Sequence, residues 1–188
     1  MTLIRKLRDF FFRRDGVAAM EFALNAPLLI LLSFGGFEVS RFLLIHQKTD
    51  KIAFTVADVV AQTTSSTLTQ AQLGQIMAAA TQVMQPFTFG ASGYVIVNSI
   101  SKSGTNPAKV AWQYAGGGTM TRASQIGVTN GNATLPNGLT LNDKDNVVIV
   151  EVYYAYTPLF SAGYVAGRQF YRTSIFKPRL GALTTAPT

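Results

Sequence analysis

Of all residues in this sequence, Glu21 has the side-chain type and the position that indicate a chemical function most clearly. It stands inside the apolar run of RRDGVAAMEFALNAPLLILLSFGGFEVSR, which extends from Arg13 to Arg41. Gly16 lies five residues upstream, directly after two arginines and an aspartate. A carboxylate at the centre of a membrane span costs about 2.5–3.5 kcal/mol, and less near the ends, so such groups are functional by default. We therefore expect Glu21 to be functional rather than an interfacial acid of no consequence.

The other residues that could do chemistry indicate neither a catalytic nor a metal site. The chain has no cysteine, which excludes disulfides, thiolate nucleophiles and Cys-type zinc sites. The single histidine, His46, stands in the polar run HQKTDK, and we expect an exposed helix residue. Asp143 and Asp145 in NDKDN resemble a calcium loop only in spacing, so a solvated turn is predicted. The glycines of GGGTMT predict a flexible turn. We expect no enzyme, no cofactor and no metal.

The positive charge of the chain is spread too evenly for a nucleic-acid-binding protein. The formal net charge is +7. Residues 1–16 contribute +3 from five basic and two acidic side chains, and the other 172 residues contribute +4. Because no basic stripe follows from this distribution, we expect no nucleic-acid partner.

The apolar run is long enough to cross a membrane. Val17–Val39 comprises 23 residues, or about 34 Å as a helix, against about 30 Å of hydrocarbon. A buried core helix and a cleaved secretory signal are the alternatives, and the length of the run and the missing small-x-small site disfavour them. Basic residues precede the run, which predicts a cytoplasmic N-terminus. The predicted organisation is a leader (1–16), a transmembrane helix (17–46) and an exported head (47–188).

The residues around Gly16 resemble a known processing site. GVAAMEF is similar to the junction in class III signal peptides, the prepilin type, in which a short basic leader ends in glycine. The resemblance implies that a prepilin peptidase cleaves between Gly16 and Val17, which makes Glu21 the fifth residue of the product. The apolar segment is then retained, unlike that of a secretory signal.

More narrowly, the chain resembles the TadE/TadF-like minor pilins (pseudopilins) of the tight-adherence, or Flp, pilus system. The N-terminal stretch carries the resemblance, with Pro27 after the Glu21–Phe22 pair and Glu38 near the outer end, as does the chain length. The C-terminal stretches VVIVEVYYAYTPLF and RQFYRTSIFKPRL also carry it. Residues 63–145 match no known pattern. Phe22 departs from the tyrosine expected in major Flp pilins, so no role of a tyrosine hydroxyl carries over.

The resemblance implies a structural role in pilus assembly. The implied partners are the prepilin peptidase, the major Flp pilin, other minor pilins, the inner-membrane pilus platform and membrane lipid. The implied location is the inner membrane, as a single-pass protein with its head outside, and incorporation into the pilus stays open. The alternative is an uncleaved membrane-anchored module that binds or senses something outside the cell. The mature N-terminus discriminates between the two, because only the first requires Val17 there.

Two roles for Glu21 follow from this implied cleavage. The new α-amino group on Val17 would lie one helical turn from the carboxylate, so the two could pair, or Glu21 could neutralise the amine of a neighbouring subunit. Alternatively, the peptidase recognises Glu21 together with Phe22. The sequence leaves both roles open.

The rest of the chain predicts an α+β head with an antiparallel sheet. The first helix is expected to continue to about Gln62, and a second helix is expected at 69–84, with Thr67 and Gln70 as a capping box. Four strands are predicted at GYVIVNSIS, KVAWQYA, NVVIVEVYYAY and RQFYRTSIF, with turns at Asn130-Gly131 and Asn137-Gly138. The third strand is apolar on both faces, so we expect it in the centre of the sheet, under a helix.

Overall fold

The computed structural model describes residues 16–160 and 166–188. These form helices α1 (Val17–Ala61) and α2 (Gln70–Met84) and strands β1 (Gly93–Ser101), β2 (Lys109–Gly116), β3 (Asn146–Tyr156) and β4 (Arg168–Phe176). Two short 3₁₀ turns lie at Gly90–Ser92 and Pro136–Gly138. The α+β class and all four strands are as predicted. The chain divides into two compact units between Arg41 and Phe42, and the predicted leader lies outside the described residues except for Gly16.

The first unit contains the apolar part of α1. The helix is long and apolar enough to cross a membrane, and only 6% of its apolar 18-residue stretch is buried. It continues through Pro27 without interruption, although proline donates no backbone hydrogen bond. Ser33 and Ser40 each donate their hydroxyl to the carbonyl four residues earlier, at 2.7 and 2.8 Å. These local bonds satisfy polar groups that would otherwise be costly in lipid.

The second unit begins at Phe42 and contains the four-stranded sheet. The strand order is β2-β1-β3-β4, and every neighbouring pair is antiparallel. The strand β3 is therefore internal, as its two apolar faces predicted. Asn130 and Asn137 have positive φ angles of 66° and 56°, which confirms the two predicted turns, since asparagine tolerates this conformation well.

The two faces of β3 belong to two different clusters. The even-numbered apolar residues Val148, Val150, Val152, Tyr154 and Tyr156 pack with buried residues of α1 and α2. The odd-numbered Val147 and Ile149 pack instead with the residues Ile100, Val110, Ile126 and Leu141. The sheet is thus covered by helices on one face and in part by the long β2–β3 connection on the other.

The part of α1 that belongs to the second unit, residues 42–61, is here called its head portion. It runs in the same direction as β4. Four pairs of contacts follow one another along α1 and along β4 and the residues just after it: Phe42 with Phe170, Asp50 with Arg172, Phe54 with Phe176, and Asp58 with Arg179. Because β3 is antiparallel to β4, it runs in the opposite direction and ends beside the beginning of this helix portion. The rings of Tyr156 and Phe42 accordingly lie 5.3 Å apart, edge to face.

The predicted capping box of the second helix is wrong by two residues. Thr69 is the N-cap, its side chain accepts from the Gln72 amide, and the Gln72 side chain accepts from the Thr69 amide. The Thr67 hydroxyl instead contacts the Thr64 hydroxyl at 2.9 Å within the preceding turn. Both threonines fit the motif in sequence, but Thr69 directly precedes the first helical residue, Gln70, and has an extended backbone, as an N-cap requires, whereas Thr67 lies three residues before the helix.

The C-terminal segment closes the helix-covered side of the sheet. Leu183 is fully buried, its amide donates to Asn146 Oδ1 at 2.7 Å, and its carbonyl accepts from Trp112 Nε1 at 2.6 Å. The Arg179 amide donates to the carbonyl of Ala61, the last residue of α1, at 2.8 Å. The tail therefore satisfies one of the carbonyl groups that the end of a helix leaves open.

Candidate functional site

Gly16 immediately precedes α1, and Val17 is its first residue. A Cβ atom built on Gly16 would meet nothing within 4 Å among the residues that the structure describes. The fold of these residues therefore does not require glycine at this position.

Val17 and Glu21 lie on the same face of α1. Residues four apart are neighbours on a helix surface, and both residues line one shallow depression together with Met20, Ala23 and Leu24. Helical side chains lean toward the helix N-terminus, so the Glu21 carboxylate leans toward Val17. The first helical turn carries unpaired N–H groups and a partial positive charge, both of which favour a nearby carboxylate.

The Glu21 carboxylate has no hydrogen-bond or ionic partner within residues 16–160 and 166–188. Asn25 Nδ2 donates to the backbone carbonyl of Glu21 at 2.8 Å, so it leaves the carboxylate itself unsatisfied. The side chains of Ser33 and Ser40, by contrast, are satisfied within the helix. A partner for Glu21 therefore has to come from residues outside these ranges or from another molecule.

Phe22 is part of an exposed apolar surface. Its side chain is 67% exposed, and its neighbours Met20 and Leu24 are also exposed. No hydroxyl is present at this position to bind a polar partner. The surface around Glu21 thus suits lipid or another apolar helix, in which an unpaired carboxylate would be costly.

The second acid of the anchor, Glu38, has a partner. Its Oε1 atom lies 3.6 Å from Nη1 of Arg41, three residues later. The two acids of the apolar segment therefore differ: the outer one is neutralised within the helix, whereas the inner one is not neutralised by any described residue.

His46 is half-buried, which corrects the prediction of an exposed helix residue. Its ring packs edge to face on Phe170 with centroids 5.6 Å apart, and Nδ1 lies 3.5 Å from Asp50 Oδ2. Sequence reasoning missed this because Phe170 lies far away in the sequence. The contacts indicate a packing role between α1 and β4.

The acidic turn at Asn142–Asn146 is held by its own backbone and by one lysine. Asp145 accepts from the Asn142 amide at 2.9 Å and from Lys177 Nζ at 2.7 Å. These bonds, led by that to Lys177, hold the pKa of Asp145 below its usual range. In the described ranges, no group of three or more His, Asp or Glu side chains is arranged to hold a metal. The predicted turn is confirmed.

Sequence reasoning missed the most buried carboxylate of the head, Glu151. It lies in the centre of β3 on the face opposite the helices and is fully buried. Five groups in the described part of the chain donate to its oxygens: Asn98 Nδ2, the Ser124 hydroxyl, the Gln125 amide, and the hydroxyls of Tyr153 and Tyr171. The available signal was a single acid within the otherwise apolar VVIVEVYYAY.

The Glu151 cluster fastens the β2–β3 connection to the sheet. Ser124 and Gln125 belong to that connection, and the Tyr153 hydroxyl also donates to the carbonyl of Ala123 at 3.0 Å. Burial first, and the Glu151 charge second, raise the pKa of both Tyr153 and Tyr171. Because the carboxylate is fully buried and its donors come from this chain, we assign the cluster to stability.

The comparison with protein families gives a match at Gly16 and along most of α1. The family model described as TadE-like protein matches residues 16–58. The matched range begins at the candidate cleavage glycine and covers most of α1. No curated protein matches the chain, and no solved structure matches it. Residues 16–58 are thus similar to the TadE-like family, and this finding confirms over that range the resemblance to the TadE/TadF-like proteins of the Tad pilus system.

Proposed function

We propose that this chain is a minor pilin (pseudopilin) that acts in the assembly of a Tad/Flp-type type IV pilus. The observation that carries the proposal is the TadE-like match, which begins at Gly16 and includes the exposed apolar helix with Glu21. In this proposal the protein has a structural rather than a catalytic role.

A prepilin peptidase cleaves between Gly16 and Val17 in this proposal. The bond lies at the N-terminal edge of α1, where backbone N–H groups have no partner within the helix. The open space around Gly16 supports an external requirement for glycine, because the described fold does not impose one. Glu21 and Phe22 are then the residues that the peptidase or the assembling filament meets first.

Glu21 neutralises the amine that cleavage creates on Val17, either in its own chain or in a neighbouring subunit. The shared face of Val17 and Glu21 and the lack of a described partner for the carboxylate support this role. An ammonium and a carboxylate that enter a low-dielectric helix bundle separately are each costly, and pairing offsets that cost.

The proposed location is the inner membrane, with a single span and the head outside. Before assembly, the exposed Leu24, Leu28 and Leu31 contact lipid. During assembly, the same surface contacts the apolar helices of the major Flp pilin and of other minor pilins, near the inner-membrane platform. A surface that is apolar in lipid can exchange one apolar neighbour for another at little cost.

The deciding experiment is the intact mass of the membrane-extracted chain, made with and without the cognate peptidase. We expect the peptidase to remove the mass of residues 1–16 and to leave Val17 as the N-terminus. The variant Gly16→Arg should keep the leader. Gly36→Ala is the matched control, because a Cβ there also meets open space, and it should be processed normally. A wild-type chain that keeps its leader in the presence of the peptidase would favour the uncleaved anchored module instead.

A further inference from the structure

We propose that Asn137 is a site of spontaneous deamidation in the folded head, and that Asn130 is protected from the same reaction. The sequence contains two Asn-Gly pairs, Asn130-Gly131 and Asn137-Gly138. Both lie in the β2–β3 connection within the second unit, and both asparagines have a positive φ angle. The sequence makes the two pairs chemically equivalent, and only the structure distinguishes them.

Deamidation at an Asn-Gly pair needs only water as a co-reactant. The backbone nitrogen of the glycine loses its proton and attacks the side-chain carbonyl carbon of the asparagine. A C–N bond forms, the bond from that carbon to the side-chain nitrogen breaks, and the nitrogen takes up a proton and leaves as ammonia. Water then opens the resulting five-membered imide at either carbonyl, which yields aspartate or isoaspartate. Glycine favours ring closure because it has no Cβ atom and leaves the backbone free to rotate.

The turn at Asn137 is open. Asn137 and Gly138 are both exposed. Among the described residues, a Cβ atom built on Gly138 would meet no atom within 4 Å outside the backbone of the turn. The backbone bond that closes the turn is local, from the Leu139 amide to the Pro136 carbonyl at 3.1 Å. Rotation of Asn137 toward the geometry of attack therefore disturbs the turn and meets no steric obstacle at Gly138.

The turn at Asn130 is tied to the sheet. The Asn130 amide donates to the Val110 carbonyl at 2.8 Å, and the Val110 amide donates to the Gly131 carbonyl at 3.0 Å. Val110 belongs to β2 and is fully buried. These two bonds hold the backbone on each side of the Asn130–Gly131 peptide bond in place. No backbone bond in the described chain joins residues 136–139 to the sheet in this way.

The attacking nitrogen of the Asn130 turn is itself engaged. The Gly131 amide donates to the Val128 carbonyl at 2.9 Å, so its proton is less accessible to a base. A Cβ atom built on Gly131 would lie 3.0 Å from the same carbonyl oxygen, so this glycine is enclosed where Gly138 is open. Attack by Gly131 therefore requires the two bonds to β2 and the bond to Val128 to break.

The number of bonds sets the size of the expected difference. A typical intramolecular hydrogen bond changes an equilibrium by about fivefold. A reaction that proceeds through local opening slows in proportion to the population of the open form. The two bonds to β2 should therefore slow deamidation of Asn130 by more than about tenfold relative to Asn137.

The product would alter the packing of the β2–β3 connection. Leu135 and Leu139 flank the turn, and both pack against the buried cluster that contains Ile126 and Ile149. Isoaspartate lengthens the backbone between the two leucines by a carbon atom, and either product adds a negative charge beside them. Ser124 and Gln125 lie outside this turn and bind Glu151, so the reaction changes one part of the connection.

Timed incubation of the full chain tests the proposal. The chain is kept folded in detergent micelles at mildly alkaline pH, with Trp112 fluorescence as the measure of folding, because this side chain is buried. A parallel sample is kept in concentrated urea. Trypsin then releases a single peptide, residues 123–144, that contains both Asn-Gly pairs. Fragment masses locate each conversion, chromatography separates isoaspartate from aspartate, and a sample digested without incubation corrects for conversion during digestion.

We expect the two asparagines to convert at similar rates in urea, where both turns are lost. In the folded chain, Asn137 should convert more than about tenfold faster than Asn130. Asn132 and Asn142 lie in the same peptide without a following glycine, so they are internal controls and should change less than Asn137. The variant Asn137→Gln should remove the isoaspartate of the folded sample, whereas Asn130→Gln, folded by its Trp112 fluorescence, should leave it unchanged.

Equal conversion of the two asparagines in the folded chain would overturn the inference, as would faster conversion of Asn130. An unconverted Asn137 in the folded chain would also overturn it, whatever happens in urea, because the open turn would then be protected as well. None of these outcomes depends on cleavage at Gly16, so each leaves the proposed function unaffected.

Discussion

Arg172 Nε lies 2.9 Å from Asp50 Oδ1, and this pair joins the middle of β4 to α1. Phe170 lies on one side of it along β4 and Phe176 on the other, and each packs on an aromatic side chain of the helix. The ion pair therefore stands between two aromatic contacts that already align the elements. Its two side chains are 32% and 50% exposed, so solvent weakens the attraction.

Removal of this ion pair should cost little stability. We expect a coupling free energy below about 1 kcal/mol between Asp50→Asn and Arg172→Met in a double-mutant cycle, decreasing further in high salt. Urea unfolding of the full chain in detergent micelles, followed by Trp112 fluorescence, measures it. A coupling above about 2 kcal/mol would mean that the pair, and not the aromatic contacts, holds β4 against α1.

Replacement of Glu151 should destabilise the head strongly. In Glu151→Gln an amide NH₂ group replaces an oxygen to which several buried groups donate, so we expect a loss of more than about 2 kcal/mol. The same urea titration provides the value. The control is Asp58→Asn, which removes a surface acid paired with Arg179 at 2.6 Å and should cost less than about 1 kcal/mol. Equal losses from the two variants would contradict the role of the buried cluster.

Tyr153 and Tyr171 should titrate late in alkaline solution. Burial and the Glu151 charge raise the pKa of both phenols in the folded head, whereas an unperturbed phenol titrates near 10. A raised pKa means that their contribution to stability is complete below pH 10 and is lost as the pH rises toward the folded values. The head should therefore lose stability above pH 10, as followed by Trp112 fluorescence.

Absorbance near 295 nm during the same alkaline titration counts the phenolates directly. Tyr153→Phe and Tyr171→Phe should each remove one phenolate from the group that forms only at high pH. Complete ionisation of all seven tyrosines in the folded head would contradict the assignment.

Glu21 should matter for assembly more than for cleavage. We expect Glu21→Ala to be processed largely as the wild type but to associate poorly with its partner pilins, and Glu21→Gln to fail nearly as badly, because both lack the charge. An uncompensated buried ammonium costs on the order of 3 kcal/mol, which is about a hundredfold in a docking equilibrium. Co-purification with the partner pilins is the measurement.

Glu38→Gln is the matched control for this experiment, because Glu38 is already paired with Arg41 at 3.6 Å. It should have a smaller effect, under about 1 kcal/mol. Equal defects from the Glu21 and Glu38 substitutions would show that neutralisation of the amine is not the role of Glu21. A loss of cleavage in Glu21→Gln would instead assign the residue to recognition by the peptidase.

The head should lie outside the cytoplasm. Five basic residues precede the apolar run, and basic flanks remain on the cytoplasmic side. A reporter that is active only after export, fused after Gln62 at the end of α1, should be active. The same reporter fused after Asp15, before the span, should be inactive. The reverse result would invert the proposed topology.

Local patterns in the sequence were sufficient for most of the secondary structure and for the shared helix face of Val17 and Glu21. The alternation in NVVIVEVYYAY predicted an internal strand, and β3 is internal. The spacing of Val17 and Glu21 predicted a shared helix face, and the two residues line the same depression. Such features depend on residues a few positions apart, because helices and strands repeat over 3.6 and 2 residues.

Tertiary structure alone decided which polar groups are buried and what satisfies them. Glu151 is a single acid within an apolar strand, and four of the five groups that donate to it lie 20 to 53 positions away along the chain. The burial of Leu183 depends likewise on Asn146 and Trp112. The common direction of α1 and β4 also required the pairing of distant strands. Neither a propensity nor a period encodes such partners, because they meet only when the whole head is packed.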